Sequence, residues 1–317
     1  MLDLWRDRAR SAAEIGGAFG AAARRDYESF AAEAERLFHA FDARMMRTAE
    51  PRPVSLAARV LKEPSLVPAM SPLRTLAQKL NQSFRDPHLQ QLFGRYATYV
   101  GGSPYQSPAI LSLISHSEAA GVWRVAGGMR NMALALKPLA EARGVEFRTN
   151  CHVPRIETQD GRVAAVHTGD GRFPCTAAIF NGDPRALALG RLGQAARRAV
   201  PARPLERRSL SAQVWAFATG VHGADLVHHN VFFADDPKQE FDPISRGDTP
   251  PAPTIYICAE DRGTGLTPPA VERLELILNA APLPATAPGG APTAEEIEAC
   301  RQRTLQTLAP FGLTFGT

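Results

Sequence analysis

Residues 94–129 read GRYATYVGGSPYQSPAILSLISHSEAAGVWRVAGGM. The stretch closes on a short strand pattern, Val122-Trp-Arg-Val, and a Gly127-Gly128 turn. A helix follows, with Met129, Met132, Ala133, Leu136, Leu139 and Ala140 at i, i+3, i+4, i+7 spacing. Gly144 suits the position just past its end. Val145-Glu-Phe-Arg-Thr alternates like a strand, and His152-Val-Pro-Arg-Ile is a second short one. Gln159-Asp-Gly-Arg signals a hairpin. Arg162 to His167 and Arg172 to Phe180 are further strand candidates, the second ending at Asn181-Gly-Asp-Pro. Helix and strand in this order predict a mixed α/β protein.

Upstream, Leu2 to Arg47 reads as helix, with Tyr27, Phe30, Ala34, Leu37, Phe38 and Phe41 on one face. Glu50-Pro-Arg-Pro breaks it. Val54 to Phe93 is helical again, punctuated by Pro64, Pro68, Pro72 and Pro87, with Leu-rich faces among scattered Arg and Lys. Such helices can lie in a membrane interface or pack on their own protein. Downstream, Leu210 to Ala218, Leu226 to Phe233, Thr254 to Ala259 and Arg273 to Asn279 are strand-like and joined by Pro/Gly/Asp-rich loops. Ala280 to Pro292 is a loose Pro/Ala/Gly segment, and Thr293 caps a terminal helix to Ala309 with first-turn carboxylates.

Composition narrows the function classes. The 317 residues are 44% hydrophobic and 21% charged, which suits a globular chain with a core. Lys62, Lys79, Lys137 and Lys238 are the only lysines among 36 basic residues. The arginines are scattered, where a nucleic-acid binder clusters them on one face, so no nucleic-acid partner is expected. Cys151, Cys175, Cys258 and Cys300 form no CxxC pair and no disulfide framework, which fits a reduced cytosolic compartment. The N-terminal residues lack the apolar stretch of a signal peptide, and no run reaches the length of a spanning helix.

Catalytic motifs are sparse. His228 and His229 are neighbours in an expected strand, so their side chains should face opposite ways, and Cys151-His152 meets the same objection. No metal site is expected. There is no GxSxG elbow. Asp235-Asp236, Glu260-Asp261 and Glu295-Glu296 fit turns or helix caps better than an acid/base pair. Gly16-Gly17-Ala-Phe-Gly20 has the wrong spacing for a dinucleotide loop and no strand before it. Gly263-Thr-Gly265 leads into a proline turn, and Gly127-Gly128 lacks the third glycine.

The quoted stretch resembles the central segment of the phytoene desaturase family of FAD-dependent carotenoid desaturases. GVEFRTNCHVPRIETQDGRVAAVHTGDGRFPCTAAIFNGDP at residues 144–184 continues the pattern. LVHHNVFFADDPKQEFDPI at 226–244 and PTIYICAEDR at 253–262 are similar to the branch acting on 1-hydroxy- and 1-methoxy-carotenoids, the hydroxyneurosporene (methoxyneurosporene) desaturases of purple bacteria. The resemblance covers nearly the whole chain.

It implies a partial amine-oxidase-like fold, with an incomplete Rossmann-like FAD domain, an antiparallel-sheet substrate domain and a helical segment. The corresponding ranges are 1–120 for the helical, membrane-associated part, 121–185 for part of the FAD domain and 186–317 for the substrate sheet with its terminal helix. It implies FAD as cofactor, an acyclic carotenoid as substrate, 3,4-desaturation as reaction, and a peripheral place on the inner, photosynthetic membrane. Val153 is expected to give backbone contacts to the adenosine side of FAD, with Asn181 and Asp183 ending the strand that returns to it. Trp215, Phe217, Phe232 and Phe233 are candidates to line a carotenoid channel or to sit in the core. The family's glycine-rich FAD loop and its closing flavin-contacting segment have no counterpart here, so the chain is expected to be an internal fragment or a truncated product. Phytoene desaturation, carotenoid isomerisation and a catalytically silent remnant stay open as alternatives.

Overall fold

The N-terminal stripe of apolar residues forms one long helix, α1 (Arg8–Met45), which is interrupted at Gly20. Asp7 starts it, its Oδ1 accepting from the Ala9 and Arg10 N–H groups at 2.8 and 3.1 Å. A computed structural model describes residues 1–200, 208–283 and 293–316. Four helices follow, α2 (Pro53–Lys62), α3 (Leu66–Met70), α4 (Leu76–Ser83) and α5 (Pro87–Gly94), and Ile15, Tyr27 and Phe30 of α1 bury against α4 and α5. Phe84 and Phe93 stack at 5.1 Å between centroids, and Phe30 meets both at a tilt at 4.9 Å. Leu37, Ala40 and Phe41 form a second cluster with Leu66 and Ala69 of α3. Lys79, nearly buried, pairs with Glu33 of α1.

The 94–129 stretch is mostly scaffold. Its first half winds through short 3-10 turns into α6 (Ile114–Ala119). Carbonyls of Ser107 and Pro104 accept the Leu76 and Ala77 N–H groups at 2.8 and 2.9 Å. They thus satisfy donors that the start of α4 would otherwise orphan. Gly101 (φ 67°) has Ser209 where a Cβ would lie, and its carbonyl accepts from Leu210 at 2.8 Å. Only glycine permits that approach to the start of the C-terminal sheet.

After Gly127-Gly128 comes α7 (Arg130–Glu141), as the periodicity predicts. The expected strands on either side do not form: Val122–Val125, Val145–Thr149 and the stretch beyond Pro174 are irregular. A strand pattern becomes a strand only where a neighbour supplies the ladder, and no described strand pairs with these stretches. A small antiparallel sheet does form, β1 (Arg155–Gln159), β2 (Arg162–Thr168) and β3 (Gly171–Pro174), with β1 starting at Arg155 rather than His152. Asp160 (φ 51°) and Gly161 (φ 76°) make the anticipated tight turn between β1 and β2. Then α8 (Pro184–Ala188) follows Asp183.

The C-terminal part is a four-stranded antiparallel sheet in the order β4–β8–β7–β6. Its strands are β4 (Ser211–Thr219), β6 (His229–Phe232), β7 (Ile255–Ala259) and β8 (Glu272–Ala280), with β5 (Val221–His222) pairing β9 (Thr314–Phe315) beside it. A helix unforeseen in the loop after β6, α9 (Lys238–Arg246), starts where Asp236 Oδ1 accepts the Lys238 N–H at 2.9 Å. The last helix, α10 (Ala294–Leu308), carries a complete capping box between Thr293 and Glu296. Its Cys300 and Leu308 bury with Ile255, Ile257, Leu274, Leu276 and Leu278. Of the expected loose segment at 280–292, residues 284–292 lie outside the described residues.

The chain divides into two compact units, Met1–Trp123 with Ser209–Thr317, and Arg124–Arg208. The N-terminal helices and the C-terminal sheet therefore share one unit.

Candidate functional site

Alternation along the C-terminal strands splits their residues between two faces. Leu274, Leu276 and Leu278 face α10, and Trp215, Phe217 and Phe232 pack on the same cluster. Phe217 meets Phe315 edge-on at 5.6 Å, and Phe232 meets Phe311 at 5.1 Å. These three aromatic residues belong to the core, and Phe233, next to Phe232 in the chain, is half-buried.

The other face carries Val214, Ile277, Tyr256 and Val231 in one cross-strand row, and Ala216, Glu275, Cys258 and His229 in the next. It is mainly apolar and half-open, with polar groups gathered at one end. His229 Nδ1 lies 2.7 Å from Tyr256 Oη. His228 Nδ1 meets the Ala259 carbonyl at 2.9 Å, and the Cys258 thiol donates to Glu260 Oε1 at 3.6 Å. Burial and the adjacent His228 hold the His229 imidazole below its ordinary value. Burial and Glu260 push the Cys258 thiol up to about 11, and burial raises the Tyr256 phenol. At neutral pH the cluster holds neutral imidazole, thiol and phenol.

Near this end stands a second polar group from the 94–129 stretch. Arg95 donates to Glu118 at 2.9 Å and to Tyr99 Oη at 3.2 Å, and its guanidinium lies 5.3 Å from the Tyr96 ring. Burial and the Glu118 charge hold the Tyr96 phenol well above its ordinary value. The field of Glu118 and Arg95 reaches His229.

The end of α1 with α2 and α3 borders an open apolar cavity of about 530 Å³, lined by Phe41, Met45, Leu56, Val60, Leu61 and Met70. On the outer side, α2 buries none of its residues, and Val54 and Leu61 are each 80% exposed beside Arg52, Arg59 and Lys62. No helix among the described residues is long and apolar enough to cross a membrane.

The residues expected to hold FAD belong to the unit Arg124–Arg208. Val153 is half-buried just before β1, and Asn181 is exposed in an irregular stretch. Asp183 Oδ1 accepts the Arg185 N–H at 2.9 Å and so caps α8, while its Oδ2 meets Arg208 at 3.2 Å. At Gly127 the space a Cβ would take is already filled by the Asn131 amide. A phosphate cradle needs open backbone N–H groups and free space. The Gly127 turn, as it stands, is not such a cradle.

Sequence reasoning missed several of these groups. The expected splaying of His228 and His229 fails, because β6 begins at His229 and His228 lies outside the alternation. Their rings meet at 4.4 Å. Tyr256 and Cys258 could be found only from strand register, which puts Cys258 directly opposite His229. Arg95, Tyr96 and Tyr99 lay within the stretch quoted first, where their spacing alone assigns no role.

A profile of the flavin containing amine oxidoreductases matches residues 19–221. A hydroxyneurosporene desaturase of Cereibacter sphaeroides is 46% identical over 315 residues, 99% of this chain and 62% of its own length. One from Rhodobacter capsulatus is 47% identical over 88% of this chain and 56% of its own length. One from Rubrivivax gelatinosus is 40% identical over 99% of this chain and 60% of its own length. The chain thus spans about three fifths of the length of these relatives.

Proposed function

The chain belongs to the flavin containing amine oxidoreductase family, and from that premise we propose that it contributes the substrate-binding part of an FAD-dependent carotenoid desaturase. The reaction proposed is 3,4-desaturation of acyclic 1-hydroxy- or 1-methoxy-carotenoids. The observation that carries this reading is identity of 40 to 47% with three proteins named hydroxyneurosporene desaturase, across 88 to 99% of this chain. A flavin is the two-electron acceptor in such chemistry. The residues described here supply an open apolar seat for the substrate.

The geometry suits a long apolar substrate. The cavity bounded by α1, α2 and α3 is lined by aliphatic, aromatic and thioether side chains, which accept a polyene without leaving a polar group unpaired. The exposed Leu and Val of α2, flanked by Arg and Lys, favour an anionic membrane surface from which such a substrate could be drawn.

The test is binding by the full chain of 1-hydroxyneurosporene carried in anionic liposomes, read by quenching of tryptophan fluorescence. The expected result is saturable quenching, stronger than with phytoene, and weakened by Leu61→Glu and by Phe41→Asp. Equal response to carotenoid-free liposomes would overturn the substrate assignment. Preference for phytoene would move the reading to an earlier desaturation. The purified chain is expected to be colourless, and a yellow preparation with one flavin per chain would refute that expectation.

A further inference from the structure

We propose that His228, His229 and Cys258 bind a divalent metal ion of the zinc and cobalt class, with Glu260 closing the site. Nothing in the proposed desaturation uses these groups in this way. Their candidate ligand atoms, one from each side chain, all lie within 4.8 Å of one another.

Strand pairing builds the site. His229 and Cys258 are cross-strand partners of β6 and β7, which brings their side chains onto one face next to each other. His228 precedes the strand and folds over to the same side, its Nε2 3.8 Å from Cys258 Sγ. Zinc bonds of about 2.3 Å to sulfur and 2.0 to 2.1 Å to nitrogen put tetrahedral ligand atoms about 3.3 to 3.6 Å apart. The His228–Cys258 edge is therefore close to its metal-bound length, and the other two edges of the His228, His229 and Cys258 triangle must contract by at most about 1.5 Å.

The surrounding hydrogen bonds orient the ligands. With Nδ1–H of His228 donating to the Ala259 carbonyl, the Nε2 lone pair points at the thiol. This is the arrangement in which a backbone carbonyl fixes the tautomer of a metal-binding histidine. Tyr256 Oη can play the same part for His229. Glu260, 3.6 Å from Sγ, adds an oxygen ligand and the negative charge that a cation needs. On binding, the Cys258 S–H bond breaks, an S–metal bond forms, and the proton leaves to solvent, so no oxidant or reductant is required. Two imidazoles, one thiolate and one carboxylate make a closed set of four, which is a structural rather than a catalytic site. A second cluster, Glu35, His39 and His116, is weaker because Glu35 is already paired with Arg8 at 3.1 Å.

Cobalt titration of the metal-free full chain tests the proposal. The expected result is one Co²⁺ per chain, with thiolate-to-cobalt charge-transfer absorption that added Zn²⁺ abolishes. Cys258→Ser should lose that absorption, and Cys300→Ser, altered in the α10 core, should keep it. His229→Ala changes an exposed side chain and guards against a folding artefact. It should fold, and its cobalt spectrum should be lost. Zn²⁺ should also raise the melting temperature of the wild-type chain and not that of His229→Ala. Cobalt bound without thiolate absorption, or absorption that survives in Cys258→Ser, would overturn the assignment.

Discussion

In β8, Leu274, Leu276 and Leu278 are each 2% exposed; in α7, Met132, Leu136 and Leu139 stand about half open at 46 to 55%. Both elements carry the apolar spacing that their geometry asks for. β8 has β4 and β7 on its two edges and α10 over its leucine face. α7 buries no residue at all. The apolar stretches near it in sequence, Val145, Phe147 and Ile179, are exposed as well. Periodicity therefore records which face a segment offers for burial, and burial itself depends on a second element arriving. Fully burying a leucine contributes about 1.5 to 3 kcal/mol, so the two units should differ widely in stability.

Truncating one leucine in each region makes the sharpest test. Leu276→Ala should cost about 3 to 5 kcal/mol, the range for a buried leucine whose site collapses poorly. Leu136→Ala should stay within about 0.5 kcal/mol, as exposed substitutions do. Urea melts of the two variants check this, and equal losses would break the comparison. They would mean that α7 is covered in solution.

A buried carboxyl sets the next effect. Glu240 of α9 is 1% exposed and accepts from Thr254 Oγ1 at 2.7 Å and Asn279 Nδ2 at 2.9 Å, tying α9 to the sheet. Glu240→Ala should cost about 2 kcal/mol by leaving those donors unpaired. Burial holds the Glu240 carboxyl above its ordinary value of about 4.5. The folded chain then keeps this proton longer than the unfolded chain does. Its contribution is full below the ordinary value and declines as pH rises through the folded value. Glu240→Gln should flatten that decline in the urea midpoint, and an unchanged slope would discount Glu240 as its source.

How far the sequence was legible follows from the same contrast. The long α1, the Asp160-Gly161 turn and the Thr293 cap are local in origin and stand where residue spacing puts them, and the four main strands fall within or next to their expected stretches, β6 shortened to His229–Phe232. The strands expected at 122–125 and 145–149 fail because strand formation is a pairwise event that one segment cannot declare. The His228, His229 and Cys258 cluster was hidden for a related reason, since it depends on where β6 begins and how it registers with β7. The loop expected between β6 and β7 holds α9, whose Asp236 cap was visible and whose two prolines masked the helix. Asp183 was read for a ligand, and its neighbour Pro184 marks it equally well as the cap of a short helix.

Helix caps give a smaller effect with the same regional contrast. Thr293→Ala should cost about 1 kcal/mol, visible in the global melt because α10 carries buried Cys300, Thr304 and Leu308. Asp183→Ala removes an equivalent bond from the five-residue α8. It should leave the global melt unchanged and speed amide exchange only at 184–188. A large global loss from Asp183→Ala would show that α8 is coupled to the main core.

The smallest effect is an acid transition confined to the small sheet. Glu157 of β1 accepts two bonds of 3.0 Å from Arg172 of β3, and His167 Nε2 of β2 lies 2.6 Å from the Oε2 that also accepts from Arg172 Nε. Arg172 foremost, and His167 next, lower the Glu157 carboxyl to about 2. A depressed folded value means that the stabilising contribution is present above the ordinary value near 4.5 and is lost as pH falls from there toward about 2. Arg172 is exposed and Glu157 and His167 are partly open to solvent, so solvent and salt screen the pair and the effect should shrink at high ionic strength. Exchange protection across β1–β3 should fall in that window while the β4–β8 ladder keeps its own, because nothing of comparable exposure holds the leucine face under α10. Glu157→Gln should remove the transition from the small sheet. If wild type and Glu157→Gln lose protection together, the transition belongs to another group, and the three strands are held by their ladder alone.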